Sequence, residues 1–327
     1  MKFLVRRVGF LLAALWAAVT VNFFIPRLMP GNPAEAMMAT FRGHVNPAAL
    51  HALEVAFGIN TKESLLSAYV QYLGNLLHGN FGISTSSFPN PVTTVIARGL
   101  PWSLGLVGLS TVLGFVIGTS LGALAAWRRG GWLDNVLPPV FVIISAFPYF
   151  WVGLLSIWLF ALTLNWLPII GAFNATAVPN WSWSFVHDVL MHAILPSFTI
   201  LVTSIGGWIL TMRNNMIAVV AEDYVKMARA KGLRPRRILW QYAGRNALLP
   251  NLTGFAMSLG FVISGAILVE YVFNYPGVGF MLLQAVQSQD YPLMQALFLL
   301  ITVAVLLAIF ISDIATALLD PRTRGGK

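Results

Sequence analysis

The 327-residue chain contains no cysteine, which excludes a disulfide framework, a thiolate nucleophile and any cysteine-ligated metal site. Charge is almost as scarce. Only 9% of residues are Asp, Glu, Lys or Arg, against roughly 25% in an ordinary soluble domain, and so few cannot clothe a water-facing surface. A soluble globular enzyme is therefore excluded. Also missing are low-complexity segments and evident internal repeats, and the second absence tells against secondary transporters built from repeated halves. No G-x-x-x-x-G-K-[ST] phosphate loop occurs, since Gly325-Gly326-Lys327 is merely the end of the sequence, so nothing here is shaped to hydrolyse ATP.

What is abundant is apolar. Hydrophobic residues make up 57% of the chain and mean hydropathy is +0.76, values suited to helices whose backbone hydrogen bonds close internally in lipid. A span needs about 20 predominantly apolar residues. Intervals of that length with at most one charged residue predict about six transmembrane helices near 8–29, 103–127, 136–164, 190–212, 250–271 and 293–317, in an all-α membrane protein. Residues 8–26 exceed the roughly 7–15-residue core of a secretory signal and precede no clear cleavage site, so this segment reads as a retained helix.

The net charge of +9 comes from basic residues placed beside apolar spans, where they orient a membrane protein and do not indicate nucleic-acid binding. The two ends, Arg128-Arg129 and the stretch from Arg213 to Arg245 hold 16 of the 20 Lys and Arg. By the positive-inside rule these regions, and both termini, are expected to be cytoplasmic. Residues 1–100 then comprise a first transmembrane helix and an extracytoplasmic segment. Tyr69, Tyr72, Leu73, Leu76 and Leu77 recur there at helical spacing and predict an amphipathic helix. Residues 101–320 form a five-helix core carrying one charged cytoplasmic loop, 213–249.

Within that loop, Ala221-Glu-Asp-Tyr-Val-Lys-Met-Ala-Arg-Ala-Lys-Gly232 reads as a short helix. Glu222 and Asp223 suit its positive start, Arg229 and Lys231 its negative end, and Gly232 can close it in the left-handed conformation. Pro235 then allows a second helix to begin. Small Ala228 and Ala230 would permit close approach by another protein. The alternative is a solvated positive loop with no partner.

The run YVKMARAKGL followed by RRILWQYAGRNALLPNLTGF resembles the cytoplasmic signature of binding-protein-dependent ABC importer permeases, E-A-A, three residues, G, then I-x-L-P. Ala228 and Gly232 match its last Ala and its Gly, Lys226 and Met227 replace its Glu and first Ala, and Leu249-Pro250 matches its end. Fourteen residues lie between Gly232 and Ala247, a longer spacing that is similar to the dipeptide, oligopeptide and nickel branch. Arg6-Arg7, Leu28-Met-Pro-Gly-Asn-Pro33, Gln71–Gly82, Glu270–Gly279 and Leu318-Leu-Asp-Pro-Arg322 extend the resemblance over nearly the whole chain.

That resemblance implies a type I ABC importer permease fold in the cell inner membrane and a non-catalytic role. It also implies a second, homologous permease, two ATPase subunits or domains that bind ATP and Mg²⁺, and an extracytoplasmic substrate-binding protein. Glu222, Asp223, Tyr224, Val225, Met227, Ala228, Arg229, Ala230, Lys231 and Gly232 would form the ATPase-docking helix. Cargo would be di- or oligopeptides. The alternative is an oligosaccharide such as a cello-oligosaccharide, to whose permeases Ser204–Arg213 is similar. A self-sufficient ion-coupled transporter is a further rival, but paired intramembrane charges are nearly absent.

Glu270 and Asp313 are the candidates for a translocation path, since charge at membrane depth is costly. Near-interface residues satisfied by backbone donors are the plainer reading. His187 and His192 are five apart, whereas a helical metal pair would be three or four apart, so no metal site is expected. Gly114, Gly118 and Gly122 mark a face for close helix contact, internal or with a partner. Trp166, Trp181 and Trp183 suit an interfacial aromatic belt or a ligand-stacking surface at the outer mouth.

Overall fold

Long apolar stretches without polar alternation favour helices, and helices are what the chain forms. A computed structural model describes residues 2–28 and 64–319. Met29-Pro-Gly-Asn-Pro33, the rest of the segment up to residue 63, and Asp320-Pro-Arg322 lie outside the described residues. Among the described residues the helices of six residues or more are α1 (Lys2–Leu28), α2 (Leu65–Leu77), α3 (Val92–Ser103), α4 (Leu109–Trp127), α5 (Trp132–Ser145) and α6 (Tyr149–Ser156). They continue as α7 (Trp183–Val220), α8 (Asp223–Ala230), α9 (Leu249–Val262), α10 (Ile267–Val272), α11 (Val278–Gln287) and α12 (Tyr291–Leu319). π-Helical stretches occupy Leu104–Gly108, Ile157–Thr163 and Ile238–Gly244.

Two compact units emerge. The first takes the residues up to Ser103, with Ile263–Ile267 and Pro276–Leu307. In it the predicted amphipathic helix is α2, which packs Tyr69 and Tyr72 around Phe23 of α1, with ring centroids 5.1 and 5.5 Å away. Thr20 shares a 2.7 Å hydrogen bond with the Tyr69 hydroxyl, and Asn22 donates to that of Tyr72. Its core joins Val92 and Val95 of α3 to Leu282 of α11 and Leu293, Met294 and Leu297 of α12. Buried Asp290 accepts bonds from the hydroxyls of Ser84 and Ser86, the Ser86 amide and the Leu293 amide, so its side chain caps α12 and ties it to the Ser84–Ser86 turn between α2 and α3.

The second unit takes Leu104–Val262, Leu268–Tyr275 and the residues from Ala308. Its spine is α4 against α7. A Cβ on Gly118 would stand 2.6 Å from Trp208 Cβ, and one on Gly122 would strike the Ile209 carbonyl. The four-residue glycine stripe is thus spent on internal packing. Phe115 of α4 stacks on Phe255 of α9 at 4.2 Å, with Trp208 edge-on to both.

Among the described residues, Val5–Ile25, Val92–Trp127, Trp183–Val220 and Tyr291–Ile314 are long and apolar enough to cross a membrane. α5 with α6 and its π-helical extension adds a fifth if counted as one span, bent by 96° around Phe147-Pro148. The interval 250–271, expected to be one span, is instead α9 and six-residue α10, broken at Ser264-Gly265 where Gly265 has φ +68°. Counting charges cannot detect such a break, because neither residue carries one. The interval 190–212 is longer than expected: α7 starts behind a Ser182 cap and runs for 38 residues, about 57 Å at 1.5 Å per residue. It continues through Arg213, whose guanidinium is paired with Asp134 of α5.

Candidate functional site

Helix α8 follows α7 after a two-residue turn. It begins at extended Glu222, whose carbonyl accepts from Val225 and Lys226, and Asp223 sits in its first turn. Lys226 bonds the Asp223 carboxylate at 2.9 Å, and that bond, followed by the lysine's charge, holds the carboxyl below its ordinary pKa. The helix ends in a Schellman motif. Gly232 N–H donates to Arg229 O at 2.9 Å and Leu233 N–H to Ala228 O at 3.3 Å, with Gly232 at φ +69°.

The two faces of α8 differ. Val225 and Ala228 are buried among Ala123 and Ala126 of α4, Met212 and Met216 of α7, and Ile238, Leu239 and Ala243 of the π-helical stretch. Glu222, Asp223, Tyr224, Lys226, Met227, Arg229, Ala230, Lys231 and Gly232 are exposed. Tyr224, Met227 and Lys231, spaced three and four apart, share one face, on which Met227 is 58% exposed. Arg229 lies over the Trp127 ring at 5.3 Å, and Asn246 donates to the Tyr224 hydroxyl at 2.7 Å. Ala228, whose smallness suggested room for a partner, serves the inner face. Among the expected residues, Val225 and Ala228 anchor and the remainder are available for contact.

The segment after Gly232 restarts at Pro235, behind an Arg234 cap. It then widens into the π-helical stretch before α9. Beside that stretch lies a cavity of about 710 Å³ lined by Phe115, Thr119, Ser120, Trp240, Gln241 and Arg245, among others. Neither the stretch nor the cavity has a local sequence signal, although the long spacing of fourteen residues between Gly232 and Ala247 marks the place. Asn251, buried at the start of α9, donates to Thr119 of α4 at 3.1 Å.

The remaining sequence candidates are dispersed. Glu270 is fully buried in α10, and Asp313 is half-buried in α12. Asp188 Oδ2 accepts from Asn174 N, and Asp188 Oδ1 lies 3.3 Å from His192, while His187 is not part of that pair. Trp166, Trp181 and Trp183 are 65%, 99% and 76% exposed, a distribution that suits an aromatic belt.

Residues 118–325 match the family model of the binding-protein-dependent transport system inner membrane component. The chain belongs to that family. It is 33% identical over 99% of both chains to the di/tripeptide transport system permease protein DppB of Pseudomonas aeruginosa. It is 31% identical over 98% of both to the oligopeptide transport system permease protein AppB of Bacillus subtilis. To the glutathione transport system permease protein GsiC of Pectobacterium atrosepticum it is 30% identical over 99% of both. This permease is therefore a multi-pass, non-catalytic inner-membrane subunit of an ABC importer of the peptide branch, and it works with ATPase and binding-protein partners. None of these relatives supports the oligosaccharide alternative.

Proposed function

We propose that this permease forms half of the path by which di- or oligopeptides enter the cell, beside a second, homologous permease, and that α8 docks against one of two ATPase subunits or domains. Both termini and α8 face the cytoplasm in this reading, which rests on the 16 basic residues gathered at that side. The observation that carries it is the division of α8: Val225 and Ala228 fix the helix to α4 and α7, while Tyr224, Met227 and Lys231 stay uncovered. An anchored helix transmits force, whereas a solvated loop does not. ATP binding in the partners then biases a two-state equilibrium through the docked helix. Glu270 and Asp313 are the intramembrane charges proposed for the path.

In proteoliposomes holding the full complex, uptake of labelled di- and oligopeptides is expected to require ATP and to be suppressed by excess unlabelled peptide, but not by a cello-oligosaccharide. This subunit reconstituted alone should give no uptake. Suppression by the oligosaccharide, or ATP-independent flux through the lone subunit, would refute the reading.

A further inference from the structure

The charges of Asp134 and Arg213 meet where α5 begins and α7 nears its end. Asp134 is 7% exposed. Its Oδ1 accepts from Arg213 Nε and its Oδ2 from the Gly130 amide at 2.9 Å, while Asn135 donates to the Gly130 carbonyl at 3.1 Å. One carboxylate thus fastens the Arg128–Gly131 turn, the start of α5 and the stem of α7. That stem is the support of α8: Met212, adjacent to Arg213, and Met216 pack on Val225 and Ala228. At its other end α5 meets the 96° bend into α6.

Arg213 is partly exposed, and an ion pair with one buried partner adds little net stability, because desolvation offsets the attraction, but it is directional and fixes one register. We infer that the Asp134–Arg213 pair is a positioning link that makes the bent α5–α6 segment move with the α7 stem and α8. It passes the stroke received at α8 into the membrane. The inference rests on the docking role proposed for α8, and it assigns the two residues to coupling, with no contact to cargo or nucleotide.

The test uses the assembled complex with its ATPases and binding protein and reads peptide taken up per ATP hydrolysed. Arg213→Gln should retain ATPase activity and lower that ratio about tenfold or more. The double variant Asp134→Asn/Arg213→Gln, which leaves no unpaired buried charge, should lower it no further, since both changes remove one interaction. An unchanged ratio in either assembled variant overturns the link, as does a further loss in the double variant. Failure of the double variant to assemble makes the pair a folding element and overturns it too. A cross-linker at Met227→Cys separates this from the underlying reading: no adduct with an ATPase in the unsubstituted background sinks the docking role itself, whereas an adduct with an unchanged ratio sinks only the link.

Discussion

Replacing Gly232 by Val should leave the permease inserted and assembled with its partner permease, yet reduce substrate-stimulated ATP hydrolysis and peptide uptake by about tenfold or more. Gly232 has φ +69°, a region closed to β-branched side chains. No atom lies within 4 Å of where its Cβ would be, so the cost is torsional and not a collision. Such strain is worth about 2 kcal/mol, roughly a thirtyfold shift in the population of the native helix end. It falls on the Schellman motif that stops α8 and seats Leu233 against the cluster holding Val225 and Ala228. Gly232→Asn should cost much less, because Asn tolerates the left-handed region, and Arg234→Ala at the next exposed cap should be nearly silent. Parallel ATPase and uptake assays on the four complexes check the order. Wild-type coupling in an assembled Gly232→Val complex would remove α8 from the mechanism.

Gly122→Leu should have the larger effect on the amount of folded protein. A Cβ at Gly122 would run into the Ile209 carbonyl and stand 3.0 Å from Met212 Cβ, and backbone cannot swing aside as a flexible side chain does. Overpacking a close helix contact costs about 1–3 kcal/mol, and a clash with backbone belongs at the upper end of that range. The damage reaches the docking helix as well, since Ala123, Ala126, Met212 and Met216 form the floor under Val225 and Ala228. Gly207→Leu is the control: it lies on α7 with nothing within 4 Å of its Cβ. Quantifying monodisperse detergent-extracted protein for the two variants should show a severe loss for the first and little change for the second. Equal yields would mean that α4 and α7 do not meet as described.

How much of this was legible in the sequence depends on the range of the interaction. The spans α1 and α12 and the bodies of α4 and α7 follow from charge-free length, a local property. The break at Ser264-Gly265 does not, because it adds no charge, and the extension of α7 past Arg213 does not, because a charge bounds an apolar interval without ending a helix. For α8 the limits were readable from Asp223, Arg229 and Gly232, all local capping signals. Its orientation was not. Alanine at 228 and at 230 looks alike in sequence, yet one is 3% exposed inside the α4, α7 and π-helical cluster and the other lies open. Only the placement of distant α4 decides between them. Tyr224 and Met227 therefore gain their role from the burial of Val225 and Ala228, which the three-dimensional packing alone displays.

The central claim is that the exposed face of α8 is the contact through which ATP hydrolysis drives this subunit. Because the chain has no cysteine, a benzophenone maleimide can be placed at Met227→Cys alone and irradiated in the assembled complex. The account predicts an adduct with an ATPase subunit and protection of that cysteine from an impermeant label in intact cells, while Ser184→Cys is labelled from outside. Labelling of Met227→Cys from outside, with no ATPase adduct, would contradict it.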